Sequence, residues 1–532
     1  MICHSVVEVE GMRNSKKHAV QDSATPAANA PAVSAVTRPT REERQVPLAT
    51  AELPRELERY AEQFYDVFGR AETFDNFCAY TVGLLSDLPR KNGETMTTAI
   101  ESVANKEAIH RLLALSPWSA EELDRRRVRH ALEVASTGQD GMLIVDEVSQ
   151  LKQGKHSVGV KRQYLGCVGK RANGQVAVTV HYADARHDWP VTGRLYLPED
   201  WAEDAERRKK AGVPEDVTFA TKGEIALDLI RRALAWGIPA QWVSMDAGYD
   251  SVDLLITLEQ MGLSCCVGVK SSFMVRAPEE VEEWVPPPPA RRGRPRIHVD
   301  PQSLPPVCRV DALRDALPEE AWRNVIYRQG TAGPLTKQFA ALDVQCATTT
   351  KVGPAVWLLF ERPLPGEAGD SKYYVVSARH EMALEDLAQV AHRRPLIERF
   401  SYENGKGEVG LRDYQGRSWR GFHHHLAIVM FGLTWLSLQR RPLPVEPTPP
   451  APPPTSGTPS AGPSAIVFMR GDSPVTVQMA GTSPVPVPAP RHLWESVQAV
   501  RRRFTEWCAI AVYRALAQRG TSLSPPAFVP LC

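Results

Sequence analysis

Asp146 closes the apolar run Met142–Val145, and Asp246 closes a second one, "QWVSM", at 241–245. Each run reads as a strand, the first as a strand buried on both faces. A carboxylate at such a position is costly to bury unless something pairs with it. Two of them brought together at strand ends repel by roughly 4 kcal/mol at ~4 Å, if the effective dielectric is about 20. A hard divalent cation removes that repulsion, and Mg²⁺ selects carboxylate oxygens. The chemistry on offer is therefore cation binding, with a third acid due from a helix packed beside the strands. A helix expected over 383–404 carries Glu398, with Arg394 one turn earlier on the same face. The bland alternatives are strand-terminal caps at the two aspartates, and a simple i,i+4 ion pair on the helix.

The elements that must hold these groups follow from the hydrophobic periods. Strands are expected at "GMLIVDEV" (141–148), "RQYLGCVGK" (162–170) and "NGQVAVTVHYAD" (173–184), with Asn173-Gly174 as the hairpin turn between the last two. A helix follows, with Thr221 and Glu224 as a capping box and Gly237 as its stop. Next come the strand ending on Asp246, a helix closed by Gly262, and the strand "LSCCVGVK". Meander first and parallel crossovers after it make a mixed α/β sheet. In such sheets ligands bind where strand ends meet a crevice.

At 532 residues the chain exceeds one ordinary core. Residues 1–48 read as a disordered segment, 49–135 as a helical N-terminal domain, and 136–275 as the first part of the sheet domain. Residues 276–371 break the rhythm and read as a β-rich insertion, after which 372–441 complete the domain. A Pro-rich linker is expected at 442–490 and a basic C-terminal helix at 491–532. The run 426–438 spans thirteen residues, too short for a membrane, and reads as a buried helix. Nine scattered cysteines without ligand spacing, and no secretory signal, point to a reducing cytoplasm. Net charge is only +1, but residues 391–441 hold nine Arg/Lys against four Asp/Glu. Local basic faces in a neutral chain suit an enzyme that binds DNA.

The ordered set "LIVDE" with "LKQGKHSVGVKRQYLG", "VSMDAGYD" and "RRPLIERF…GKGEVGLRDYQGRSWRGFHHH" resembles bacterial insertion-sequence transposases with an Asp-Asp-Glu triad. The likeness runs from about 50 to 440. It implies a ribonuclease-H-like catalytic domain, of the branch with a β-rich insertion before the Glu. It further implies Asp146, Asp246 and Glu398 as ligands of two Mg²⁺ ions (Mn²⁺ as a substitute) and phosphoryl transfer on DNA. Arg394 and Lys406 would hold phosphate or transition-state charge. The family signature Tyr-x2-Arg-x3-Glu-x6-Lys is met at Arg394 and Glu398. Ala391 stands at the Tyr position, and Lys406 falls one residue late. Glu403 and Glu408 remain competitors for the third acid.

The implied partners are double-stranded DNA, as element ends and as target, and a second copy of the chain; no membrane is expected. Two rivals stay open: a metal-dependent nuclease without strand transfer, and a non-catalytic DNA-binding protein that keeps the fold. Arg292 and Arg294, in "RRGRPR", are expected on an extended arm in an A·T minor groove, or else in a basic turn. Glu147 is expected to be solvated or supporting, His423–His425 to face the surface or a DNA phosphate, and Cys265-Cys266 to fill core.

Overall fold

The computed structural model describes residues 55–99, 106–135, 141–184, 187–277, 304–330, 333–377, 382–394, 409–440, 465–470, 473–478, 498–502 and 504–505. Glu398, Glu403, Lys406, Glu408, Arg292 and Arg294 lie outside these residues, as does the first expected segment, 1–48. No helix among the described residues is long and apolar enough to cross a membrane.

The described residues open with helices, chiefly α1 (Arg55–Glu62), α2 (Ala71–Leu85) and α3 (Ala120–Val134). Four strands follow: β1 (Gly141–Leu151), β2 (Lys161–Leu165), β3 (Lys170–Ala183) and β4 (Asp188–Leu195). Then come α4 (Lys222–Ala235), β5 (Ala240–Met245), α5 (Val252–Gln260) and β6 (Ser264–Val269). Short strands β7 (Met274–Arg276) and β8 (Cys308–Arg309) precede β9 (Arg323–Gly330), β10 (Gly333–Ala347), β11 (Val352–Arg362) and β12 (Lys372–Ser377). Helices α6 (Leu384–Ala391) and α7 (Trp419–Leu438) come after them.

Strands β3, β1, β5 and β6 stand side by side, with β4 on the far side of β3. β1, β5 and β6 are parallel, and β3 runs against them. This is the ribonuclease-H-like mixed sheet expected from the sequence. β12 pairs antiparallel with β6, and β11 and β10 follow it outward, so the strands after residue 277 widen the same sheet. Alternation along β1 then assigns the faces. Leu143 and Val145 face the layer that holds Val128 of α3, Ile225 and Leu229 of α4, and Leu255 of α5. Met142 and Ile144 face the other layer, with Leu384, Leu387 and Ala388 of α6.

Local signals in the sequence account for the helix ends. Thr221 and Glu224 form the capping box at the start of α4, and Ser119 caps α3 by accepting from the Glu122 amide. Gly237 and Gly262, both at positive φ, end α4 and α5. The expected hairpin at Asn173-Gly174 is corrected. Those residues lie inside β3, and the turn is 166–169, where Gly169 takes φ 65°. Gly174 is needed for a different reason: a Cβ there would run into the Gln150 carbonyl and the Leu165 side chain. β4 was not foreseen, because Pro190 and Gly193 interrupt its pattern. The stretch expected as a polyproline linker carries an antiparallel hairpin, Ala465–Arg470 with Ser473–Gln478. Its signal in the sequence was Gly471-Asp472 standing between the apolar run "AIVFM" and the alternating "SPVTVQ".

The N-terminal helices share one core with α7. Phe64 and Phe77 pack edge-on against Phe431, Phe68 stacks on Phe77, and Leu426, Ile428 and Val429 lie in the same cluster. Arg127, fully buried, ties α3 to its neighbours. It pairs with Asp124 at 2.8 Å and donates to Thr434 of α7 and to the Pro190 and Val191 carbonyls of β4. From the basic tail, Arg501 is also buried, against the Ser86 carbonyl and Asp87. That arginine is not offered to DNA.

The histidine run is corrected too. His424 stacks on Trp118 with ring centroids 3.7 Å apart and meets the Trp118 and Leu112 carbonyls. His425 meets the Tyr80 hydroxyl at 2.9 Å, and His423 Nε2 accepts from the Leu195 amide. On a helix covered all round, successive side chains all find protein. Burial pushes all three imidazoles down to about 4 from 6.5. Between those values the unfolded chain binds more protons than the folded one, so stability rises with pH. The thermal midpoint is therefore expected to fall steadily as pH drops from 6.5 toward 4. A midpoint flat across that window, followed by differential scanning fluorimetry, would refute the assignment.

Candidate active site

Ile144 of β1 and Ser244 of β5 are register partners, so Asp146 and Asp246 sit level, two residues further along parallel neighbours. Such strands lie about 4.8 Å apart. Both side chains point to the face that carries Met142, Ile144 and α6. Asp146 is nearly buried, with its side chain 12% exposed, while Asp246 is 38% exposed at the mouth of a cleft of about 440 Å³. One Asp246 oxygen accepts from the Gly248 amide at 2.8 Å, which makes Asp246 a cap of the turn 247–249 as well.

Arg394, just past α6, reaches both carboxylates. Its Nη2 stands 3.5 Å from Asp146 Oδ1 and 3.8 Å from Asp246 Oδ2. Of the residues singled out in the sequence, Asp146, Asp246 and Arg394 are thus brought together. α6 breaks after Ala391 with His392 as its cap, Arg393 and Arg394 are helical again, and the rest of the helix expected to 404 lies outside the described residues. The cause is readable: Pro395 has no N–H to offer the Ala391 carbonyl.

Glu147 points the opposite way, as strand alternation requires, and pairs with Lys222 at the start of α4 at 2.6 Å. Tyr249 is buried below the aspartates, and its hydroxyl is pushed well above its ordinary value. Burial is the main cause, with Glu147, Asp246 and Asp146 adding to it. The field here is negative, and a guanidinium already bridges two hard oxygen donors. A divalent cation fits that donor set, although no group of three His, Cys, Asp or Glu that could hold a metal occurs among the described residues.

Sequence reasoning missed the contribution of the added strands. Lys372 and Tyr374 of β12 line the same cleft, beside Gly268 of β6 and Arg394. Behind them Glu361 of β11 is buried, 1% exposed, and gathers the Tyr374 hydroxyl at 3.0 Å, His392 Nε2 at 2.9 Å and the Lys337 ammonium. Tyr327 covers the His392 ring at 3.9 Å. Burial pushes the Glu361 carboxyl up, but His392 and Lys337 outweigh it and hold it down at about 2. This network fixes the end of α6, two residues before Arg394. Replacing Glu361 with Ala removes the buried acceptor shared by His392, Tyr374 and the partly exposed Lys337. The expected cost is about 3–5 kcal/mol, read as a lower urea midpoint with an unchanged m-value. The strand parity of "KYYVVSA" could have placed Lys372 and Tyr374; nothing local announces Glu361.

Comparison with known proteins agrees with this geometry. A probable transposase for insertion sequence element IS701 from Microchaete diplosiphon is 30% identical over 221 residues, covering 41% of this chain and 55% of that protein. The chain thus spans about half the length of this curated relative. The family model described as DDE superfamily endonuclease matches residues 63–334, just over half of the chain and inclusive of both aspartates. A ribonuclease-H-like sheet, paired aspartates at the ends of adjacent parallel strands and this match lead to one statement: the chain belongs to the DDE superfamily endonucleases.

Proposed function

We propose that this chain is a DNA transposase that cuts at the ends of its insertion sequence and joins them to target DNA, working as a homodimer. The observation that carries the reading is the meeting of Asp146 and Asp246, a hundred residues apart in sequence, on one guanidinium. Asp146, Asp246 and Glu398 would hold two divalent ions, Mg²⁺ first. When bound, these ions activate the attacking oxygen and stabilise the leaving one.

The protein's own groups do the rest. Arg394, paired with both aspartates, would place a positive charge beside a phosphate that approaches them. Lys372, at the cleft's rim, is placed to meet the same strand, and Lys406 is a further cation for it. Gly268 leaves the floor open next to the Asp246 backbone, where a side chain would intrude. The arm with Arg292 and Arg294 would track the minor groove outside the site.

The test uses the full chain with a supercoiled plasmid bearing the DNA that flanks its coding frame. Released element joined to a second plasmid, only with Mg²⁺ or Mn²⁺, is the expected result. Cut ends that are never joined would favour the nuclease rival, and binding without any cutting the non-catalytic one.

A further inference from the structure

Between Glu147 and Asp184 the sequence has six Lys/Arg and no carboxylate. Much of this stretch forms the β2–β3 ribbon, and its pairing sorts the charges. Tyr164 lies across from Arg171, and Arg162 is two residues from Tyr164 on the same strand, so all three share one face. Arg162 and Arg171 are exposed, and Tyr164 is 59% exposed, a large ring left open to solvent. On the other face Lys161 is engaged with Asp200 at 3.0 Å and Leu165 is buried.

The ribbon is fastened next to the site. Ser149, three residues past Asp146, accepts from the Cys167 amide in the ribbon's turn at 3.0 Å. Gln163 bonds the Gly174 carbonyl, and Asn173 bonds Lys152 and Gly154. An edge strand does gain protection against pairing from Lys and Arg. That purpose does not call for an exposed tyrosine between two arginines. A flat ring flanked by two guanidiniums fits a polyanion that also offers faces to stack on, which is what nucleic acid is.

We propose that the Arg162–Tyr164–Arg171 face of this ribbon binds the DNA duplex beside the cut site, the arginines on phosphates and the tyrosine ring on a sugar or base. The inference rests on the reading that the chain acts on DNA and adds a surface to it. A two-stranded ribbon has the width to enter a major groove.

The experiment measures binding of the full chain to a fluorescent duplex of its flanking DNA across salt concentrations. The double variant Arg162→Ala/Arg171→Ala should make the slope of log K against log salt shallower by about 1.8, at about 0.9 per lost phosphate contact. Tyr164→Ala should weaken binding about tenfold at every salt concentration with the slope unchanged, and Tyr164→Phe should restore it. Arg129→Ala, an exposed arginine on α3, is the control with the parental slope. All of these positions are on the surface, and circular dichroism verifies the fold. A parental slope in the double variant overturns the ribbon alone. Failure of the unaltered chain to bind DNA overturns the broader reading together with it.

Discussion

Asp146→Asn is expected to lower Mg²⁺-supported DNA cleavage at least about a thousandfold, some 4 kcal/mol of barrier, while duplex binding persists. Asn keeps the shape of the side chain and removes the charge that attracts a cation. It also removes one of two carboxylates that repel each other, so the fold should not weaken. The informative partner is Glu147→Gln. Glu147 is adjacent in sequence but faces α4, where Lys222 neutralises it at 2.6 Å. Its loss should change cleavage by less than about tenfold, because a partly exposed pair contributes about 1 kcal/mol or less. Equal damage from the two variants would show that strand parity does not decide which carboxylate acts. Comparable loss from Asp246→Asn completes the test, since Asp246 stands on the same face one strand away.

Why those two aspartates were legible and their supporting cast was not is a matter of range. Asp146 and Asp246 each end an apolar run, so strand, face and exposure follow from a few neighbouring residues. The capping box at Thr221 and the stops at Gly237 and Gly262 are equally local. His424 is different. Its place against Trp118, in the connection before α3, joins residues 306 positions apart, and no local pattern encodes that. The polar type of the run suggested a surface, but the apolar residues after it had already signalled a covered helix. Glu361 shows the same limit, since its partners Lys337, Tyr374 and His392 come from three other elements. Gly174 shows a subtler one. The sequence marks a special backbone position there, and only the packing of β3 against Gln150 reveals which kind.

The third acid is the last group to place, and chain reach favours Glu398. β1 holds the chain on both sides of 395–408. Upstream, Arg394 is held at Asp146 and Asp246. Downstream, Gln150 near the end of the same strand and Lys152 just past it donate to the Tyr414 carbonyl at 2.8 and 2.5 Å. Glu398 follows the first anchor by four residues, about 6 Å of rise if the stretch is helical. Glu408 precedes the second anchor, and Gln150 lies four strand residues beyond Asp146, roughly 13 Å away. Glu403 falls midway, and on a helix it would be turned about 140° from Glu398. Glu398→Gln should therefore cut Mg²⁺-supported cleavage at least about a hundredfold, near 2.7 kcal/mol, with DNA binding retained. Glu408→Gln should stay within about tenfold of the parent. A normal Glu398→Gln enzyme beside an inactive Glu408→Gln enzyme would move the acid to the second anchor. The one-residue displacement of Lys406 would then mark a shift of the whole signature toward Val409, which is itself fully buried.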